Sequence, residues 1–582
     1  MRLPNLSMKR ISPAAWRFIY YGLAVVLAVF TYFYALDSAH IPKNGDEFPY
    51  THITRLTAES GHLLPLQSQL HGMRNTKPPL LFWQGILSTH WGAQWTWWNL
   101  RYPSVIYTLL TALLVFLLAH RLAGERRSEG ADPVETGFIA ALTYLAFFST
   151  YRFGRPFLVN PAEIFWFFLP FFTLLYWRTS AFDSRLIVPL LLGVEVGMGL
   201  LYKSFALVAP VSLALSLWYL HQRQYRLSAF ILKDAGKVGI TVIVALALFG
   251  LWFVFDPDPA AVWREFIVGE NAGKFAAQGG SYLGHLLWGG SSVWALLLGY
   301  PMNAGLLAFP VAALVWVAYR RPLSDAEKLL WIWMGVLFVV FCVPSQRSAR
   351  YLLEAMPVLA VLCALSWQRI SRWAFVASLL LCGGVLALLA FLSWRLEQAM
   401  PGEDLYSAGY WLLLLMTATL LLLGIFYART TRLLTNVVVL LVMLSLAAFL
   451  RPFDGIAGNF SAGAQRYAAG KEVWVPCDFR AVDEGYRFIL PGAKIHGYFA
   501  GAPLSVGELA SRYELFAVQL PLQTPCDGCK IIGERLEIRG RHSPDELKRI
   551  LAGEVFEQLF VKELLIESSG VSQVAANEEG CR

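Results

Sequence analysis

The sequence predicts a mainly α fold, a polytopic membrane bundle of about thirteen transmembrane helices followed by a small soluble α/β domain. Three observations carry this expectation. Of the 582 residues, 57% are hydrophobic, 14% aromatic and only 15% charged; soluble domains carry about 25% charged residues, so lipid is the main solvent here. Apolar runs of roughly 16 to 23 residues recur between Trp16 and Leu450, each near the length that crosses a hydrocarbon core of about 30 Å. Beyond Leu450 the chain turns to ordinary soluble sequence, which divides it into a membrane domain over 1–450 and a soluble domain over 451–582.

The first run, 16–36, follows a basic stretch (Arg2, Lys9, Arg10, Arg17). It lacks a small-residue cleavage site and exceeds the length of a signal-peptide core, so it reads as a retained first helix. A long loop, 37–102, comes next. Ser60-Gly61-His62 punctuates it, Lys77-Pro78-Pro79 stops it, and Leu80 to Trp91 resumes a helical pattern, which together fit interfacial helices. Trp91, Trp95, Trp97 and Trp98 read as an aromatic belt at the membrane surface. The remaining helices are expected at 103–120, 136–152, 162–177, 186–202, 204–220, 237–255, 292–318, 328–343, 351–367, 373–394, 409–427 and 433–450.

An odd number of crossings puts the two termini on opposite sides. The net charge of +8 sorts by loop rather than forming a patch for nucleic acid. Arg121 to Arg127, His221 to Arg226, Arg320-Arg321, Arg369 to Arg372 and Arg429 to Arg432 all fall on the N-terminal side, which the positive-inside rule makes the cytoplasm. The opposite face, the periplasm if this is the inner membrane of a Gram-negative cell, receives the loops 37–102, 256–291 and 344–350 and the C-terminal domain.

In that domain Arg451-Pro452, with Gly455, Gly458 and Gly463, reads as a linker. Strands are expected at 472–475, 516–520 and 530–532, and helices at 505–511 and 543–552. Cys342, Cys363 and Cys382 lie in apolar helices, whereas Cys477, Cys526, Cys529 and Cys581 lie in the exported tail, where disulfides form. The Cys526-Asp-Gly-Cys529 spacing leaves a structural disulfide, unpaired thiols and a redox or metal pair open. The chain shows no phosphate-binding glycine motif in this tail and no inverted repeat, which weighs against a secondary transporter.

Gly45-Asp46-Glu47-Phe48-Pro49-Tyr50 places two acids just beyond the first helix on the outer face. Most carboxylates near an interface are simply solvated, but Asn75-Thr76-Lys77-Pro78-Pro79 puts a cation in the same loop on a backbone fixed by two prolines. Arg155, Lys203, Lys274, Arg347 and Arg350 fall at or near the outer ends of other helices. Singly such residues are anchors whose chains snorkel to water. Together, on the face where few cations are expected, they outline a cationic cavity between helix ends. A lipid phosphate suits such a cavity, and an acid beside it suits a general base. The combination describes transfer of a group from a phosphorylated lipid to a hydroxyl.

In these residues the sequence resembles the bacterial GT-C glycosyltransferases related to protein O-mannosyltransferases and to the lipid A aminoarabinose transferase, over most of the membrane region. Asp46-Glu47 is similar to the family's acidic pair after the first helix, Lys77-Pro-Pro-Leu-Leu-Phe-Trp83 to its Lys-Pro-Pro-Leu segment, and Leu100-Arg-Tyr-Pro-Ser104 to its Arg-x-Pro-Ser helix entry. Leu201-Tyr-Lys-Ser204 stands where Thr-Lys-Gly is usual. Trp263 to Phe275, with His285 after it, resembles the loop that follows the seventh helix, and Ser345 to Tyr351, with Pro357, its Lys/Arg-Tyr-x-x-Pro region.

The resemblance implies an inverting glycosyltransferase that uses a polyprenyl-phosphate sugar donor and a hydroxyl of a lipid, glycan or exported protein as acceptor. It implies Asp46 as catalytic base with Glu47 beside it, and Lys77, Lys203, Arg350 and Tyr351 as holders of the carrier phosphate. His285 would assist with the phosphate or with a divalent cation, the one cofactor left open. The sequence departs from the family pattern at Thr76 and Asn160, where acids are common, and at Pro49, where a basic residue is usual. A transporter or flippase of lipid-linked sugars would also need cations near a phosphate, but has less need of a base at the cavity mouth. An O-antigen ligase or polymerase would need a large late outer loop, absent here, and a membrane scaffold would need its function in the tail, which shows no catalytic constellation.

Overall fold

The computed structural model describes residues 13–42, 44–125, 132–271, 282–402, 404–455, 458–499, 505–526, 528–539 and 543–568. Arg2, Lys9, Arg10, Arg127, Lys274 and Cys581 lie outside the described residues. The chain opens with α1 (Pro13–Phe33), α2 (Glu47–Glu59), α3 (Leu80–Ser88), α4 (Trp97–Gly124), α5 (Pro133–Ala146), α6 (Phe148–Phe153), α7 (Asn160–Tyr176), α8 (Arg178–Asp183) and α9 (Ile187–Leu200). Every segment expected to cross the membrane is helical. Among the described residues nine helices are long and apolar enough to cross a membrane by length and composition. The expected segments at 136–152, 162–177, 186–202 and 328–343 fall outside that set. Three of them form helices of only 14, 17 and 14 residues, and the fourth, Asp325–Cys342, carries Asp325, Glu327 and Lys328 in its first turn.

Local chemistry sets several boundaries. Thr96 Oγ1 accepts from Asn99 N–H at 3.2 Å and starts α4 at Trp97, ahead of the expected 103, with Pro103 inside the helix. Asp132 caps α5 and Pro133 opens it. The run 292–318 is broken: Val293–Leu297, Gly299–Ala304 and Ala308–Tyr319 are separate helical pieces. Gly305 between them has φ +60°, and a Cβ there would lie 2.3 Å from Phe148 Cβ, so the break requires glycine. The bundle core is aromatic; Phe167, Phe168, Phe171 and Trp333 are fully buried, with Phe171 and Trp333 ring centroids 4.4 Å apart.

The first loop contains helices as expected, α2 and α3, and α3 packs against α4. Gly85 lets α3 approach α7's lead-in closely, because a Cβ would lie 2.7 Å from the Phe157 ring. The four tryptophans divide: Trp91 and Trp98 are exposed, while Trp97 is buried and stacks on Phe488 with centroids 4.0 Å apart, and Trp95 stacks on Phe488 at 6.2 Å. Half of the expected belt therefore packs against the C-terminal elements.

After the helix Ala428–Leu450 the chain builds a five-stranded sheet from β1 (Glu472–Cys477), β2 (Lys494–Phe499), β3 (Leu515–Leu520), β4 (Lys530–Ile538) and β5 (Phe560–Glu567), in the order β2-β1-β3-β5-β4. β1 runs parallel to β2 and β3, and β5 runs antiparallel to β3 and β4. The strands β2 and β5 join those expected from sequence, and helices Val506–Arg512 and Pro544–Leu551 match the expected ones. Cys526 and Cys529 form a disulfide, and Cys477 is disulfide-bonded. Cys342, Cys363 and Cys382 are free.

The sheet unit docks on the first loop through a buried carboxylate. Glu484 accepts from Arg55 Nε at 3.1 Å, contacts His52 Nδ1 at 2.8 Å and pairs with Arg487 at 3.2 Å. His52 Nε2 in turn accepts from Gln69 N–H at 3.1 Å, so one contact braces both α2 and the strand of loop that leads to Lys77.

Candidate functional site

Beside the N-terminus of α2 lies a cavity of about 290 Å³ lined by Asp46, Pro49, Tyr50, Met73, Thr76, Lys77, Val159, Lys203, Glu270, Arg350 and Tyr351. Five of the seven residues singled out from sequence therefore meet in one place. They arrive on separate elements. Asp46 is the residue that opens α2. Lys77 precedes the proline pair at the start of α3, Lys203 sits in the turn after α9, and Arg350 and Tyr351 ride on the 3-10 segment Ala349–Ala355.

Each cation in the cavity is held by a carboxylate. Arg350 Nη1 donates to Asp46 Oδ2, while its Nε and Nη2 donate to Asn160 Oδ1 at 3.1 and 2.6 Å. Lys77 Nζ donates to Glu270 Oε1 at 2.5 Å and to Thr76 O at 2.8 Å. Lys203 Nζ donates to Glu163 Oε2 at 2.7 Å. Burial pulls the Lys77 ammonium below its ordinary value, a fall that Glu270 offsets only in part. Burial acts on Lys203 in the same sense, but Glu163 and Glu354 outweigh it and hold Lys203 above its ordinary value. Burial, and then Asp46, push the Tyr50 phenol up, so it stays neutral and able to donate at the cavity wall. Tyr351 stacks on Phe341 with centroids 5.2 Å apart.

The segment after the seventh expected helix closes one side. In the π-helical stretch Trp263–Asn271, Glu265 accepts from Asn75 N–H at 2.9 Å and Asn75 Nδ2 at 3.1 Å. Arg74 reaches Asp258 at 3.2 Å, so the 74–77 strand of loop is clamped on both sides of Asn75.

Two singled-out residues lie elsewhere. Glu47 points into the bundle with 1% exposure, where it pairs with Arg101 at 2.8 and 3.0 Å and accepts from Phe157 N–H at 2.7 Å. Arg101 also donates to the carbonyls of Leu36 and Ser38, so this pair fixes the turn that delivers Asp46. His285, on the helix Tyr282–Leu287, is not among the residues lining the cavity. Two further outer cations serve helix ends: Arg155 donates to the carbonyls of Tyr32 and Tyr34, and Arg347 to those of Cys342, Ser291 and His285. Tyr50, Glu163 and Glu270 join the site without having been singled out.

Among the described residues no three His, Cys, Asp or Glu side chains converge on a point that could hold a metal. Asp46 and Glu270 in the cavity each engage a cation of the protein. The arrangement instead places three cations and two carboxylates around the cavity, with Asp46 49% exposed.

Residues 19–260 match the family model described as dolichyl-phosphate-mannose-protein mannosyltransferase. The chain is 28% identical over 417 residues to the undecaprenyl phosphate-alpha-4-amino-4-deoxy-L-arabinose arabinosyl transferase of Pectobacterium carotovorum, covering 66% of each chain. It is 26% identical over 420 residues to a second such transferase of Proteus mirabilis, covering 68% of this chain and 70% of that one. These alignments span about two thirds of each relative's length. In fold the chain is similar to crystal structures of ArnT from Cupriavidus metallidurans, one bound to undecaprenyl phosphate and one in the apo state. For each the TM-score is 0.55 and the identity 15%, with 95% of this chain and 98% of that one covered.

Proposed function

We propose that the chain is a membrane glycosyltransferase of the GT-C type that moves an amino sugar from undecaprenyl phosphate to a hydroxyl of a lipid A-like acceptor, with Asp46 as base, a reading that its relatives support. The observation that carries this reading is the meeting of Lys77, Lys203 and Arg350 with Asp46 in one cavity. The donor phosphate takes the place of Glu270 at Lys77 and of Asp46 at Arg350, and accepts from Lys203, whose ammonium has three donors and keeps its bond to Glu163. As the bond between the anomeric carbon and the phosphate oxygen breaks, negative charge grows on the departing phosphate, and fixed cations in a partly dry site lower the barrier. The acceptor oxygen forms the new bond from the opposite face, which inverts the anomeric centre, and its proton passes to Asp46. A carboxylate is a weak base toward a hydroxyl, so the proton moves late, once the acceptor oxygen carries positive charge. Tyr351 borders the phosphate, and Glu47 acts through the turn it fixes rather than on the substrate.

In this reading residues 1–450 form the catalytic membrane domain and 451–582 a periplasmic α/β domain, with the N-terminus cytoplasmic and the protein in the inner membrane. The sorting of basic loops supports that orientation. The relatives named above are transferases, which favours this reading over the transporter alternative. The test is donor kinetics of Lys77→Ala and Arg350→Ala, with mass spectrometry of lipid A from cells carrying each. Each variant is expected to raise the donor KM at least about tenfold and to remove the sugar's mass from lipid A. Unchanged donor KM in both contradicts the phosphate assignment, and an unchanged lipid A in a deletion strain contradicts the acceptor.

A further inference from the structure

We propose that Glu354 is a positioning residue for donor binding: its carboxyl shares a proton with Glu163 and thereby fixes the Lys203 ammonium at the cavity. Glu163 and Glu354 are 0% and 1% exposed. Glu163 Oε2 is fully engaged, accepting from Lys203 Nζ at 2.7 Å and Asn160 Nδ2 at 3.1 Å. Glu163 Oε1 and Glu354 Oε2, in contrast, have no donor, yet the two carboxyl groups lie within hydrogen-bonding contact of each other. Ionised carboxylates only accept, so two of them in contact and shut from water are stable only with a proton between them. That single proton satisfies both orphaned oxygens at once.

The surrounding charges say which carboxyl carries it. Lys203 is the cation in contact with the pair, and it bonds Glu163. Arg350 is spent on Asp46 and on the Asn160 amide oxygen. Among the described residues Glu354 also faces the Tyr300 phenol, which donates to Met334 O at 2.6 Å, and Trp333, whose indole N–H donates to the Glu354 backbone carbonyl at 3.2 Å; neither brings a positive charge. Glu163 is therefore the carboxylate and Glu354 the acid, donating to Glu163 Oε1. The result is a chain running Glu354, Glu163, Lys203 into the cavity, with Asn160 linking it to Arg350 and so to Asp46. A lysine side chain has four rotatable bonds and much entropy to lose; a Glu163 locked at both oxygens holds that ammonium in one place.

This inference rests on the reading of Lys203 as a phosphate ligand, and the experiment separates the two. The dissociation constant of undecaprenyl phosphate is measured in detergent for wild type, Glu354→Gln, Glu354→Leu, Lys203→Ala and the Glu354→Leu/Lys203→Ala pair. A glutamine donates the same hydrogen bond permanently, so Glu354→Gln is expected to bind within about twofold of wild type. Glu354→Leu and Lys203→Ala are each expected to bind at least about tenfold more weakly, and the double variant no more weakly than Lys203→Ala, because the effects run through one residue. If Glu354→Leu does not accumulate, Glu163→Gln takes its place and is expected to weaken binding tenfold where Glu354→Gln does not. Equal loss in Glu354→Gln and Glu354→Leu, or in the two amide variants, overturns the shared proton. Wild-type binding by Glu354→Leu beside weakened Lys203→Ala overturns the positioning role alone, whereas wild-type binding by Lys203→Ala overturns the phosphate reading and this inference with it.

Discussion

Glu47 and Arg101 show how two adjacent acids take different work. A helix turns about 100° per residue, so Asp46 at the start of α2 faces the cavity while Glu47 faces the bundle and closes a bidentate pair with Arg101. Removing one member of a buried pair strands the other charge, at about 3–5 kcal/mol. Arg101→Ala is thus expected to lower stability by about that amount in thermal unfolding in detergent, and an unchanged midpoint would show the pair to be dispensable. The acidic pair was legible in sequence as a functional segment, but which acid reaches the cavity depends on the helix phase. Tyr50 carried a readable signal, four residues on from Asp46 and so on its helical face. Glu270 lay inside the family-like segment Trp263 to Phe275 but without a role, and Glu163 carried no signal; they stand 193 and 40 residues from the lysines they hold.

At the level of elements, the contact between the sheet unit and the first loop has a defined pH response. His52, Arg55 and Arg487 outweigh the cost of burial and pull Glu484 down to about 2, against an ordinary value of 4.5. A carboxylate depressed on folding contributes stability that is complete above its unfolded value and is lost as pH falls toward the folded one. For Glu484 that window runs from about 4.5 down to about 2, with on the order of 3 kcal/mol at stake. Hydrogen exchange in α2 and in 482–489 is therefore expected to accelerate together below pH 4.5, and Glu484→Gln to show the fast exchange already at pH 7. Independent exchange of the two segments would remove the brace. The strand β5 escaped the sequence reading because it lies between β3 and β4, buried on both faces, so it lacks the alternation of a half-exposed strand. The helix breaks at Gly305 and before Met356 escaped it because hydropathy reads an apolar run, not the backbone inside it.

Across the whole molecule, composition alone announced a membrane bundle with a soluble tail, since lipid as solvent leaves a strong trace in any window of sequence. The cavity was legible as a set of outer-face charges, yet among the described residues only Lys77, Lys203 and Arg350 of that set reach it, because Arg155 and Arg347 are consumed by helix-end carbonyls. The bundle and the first loop together bring Asp46 and Glu270 into one cavity with three cations. The measurement that bears most directly on that arrangement is turnover and donor binding by purified Asp46→Asn, with its fold checked by gel filtration. Undecaprenyl phosphate binding retained with sugar transfer reduced at least about 100-fold is the expected result; transfer at the wild-type rate would contradict Asp46 as the base.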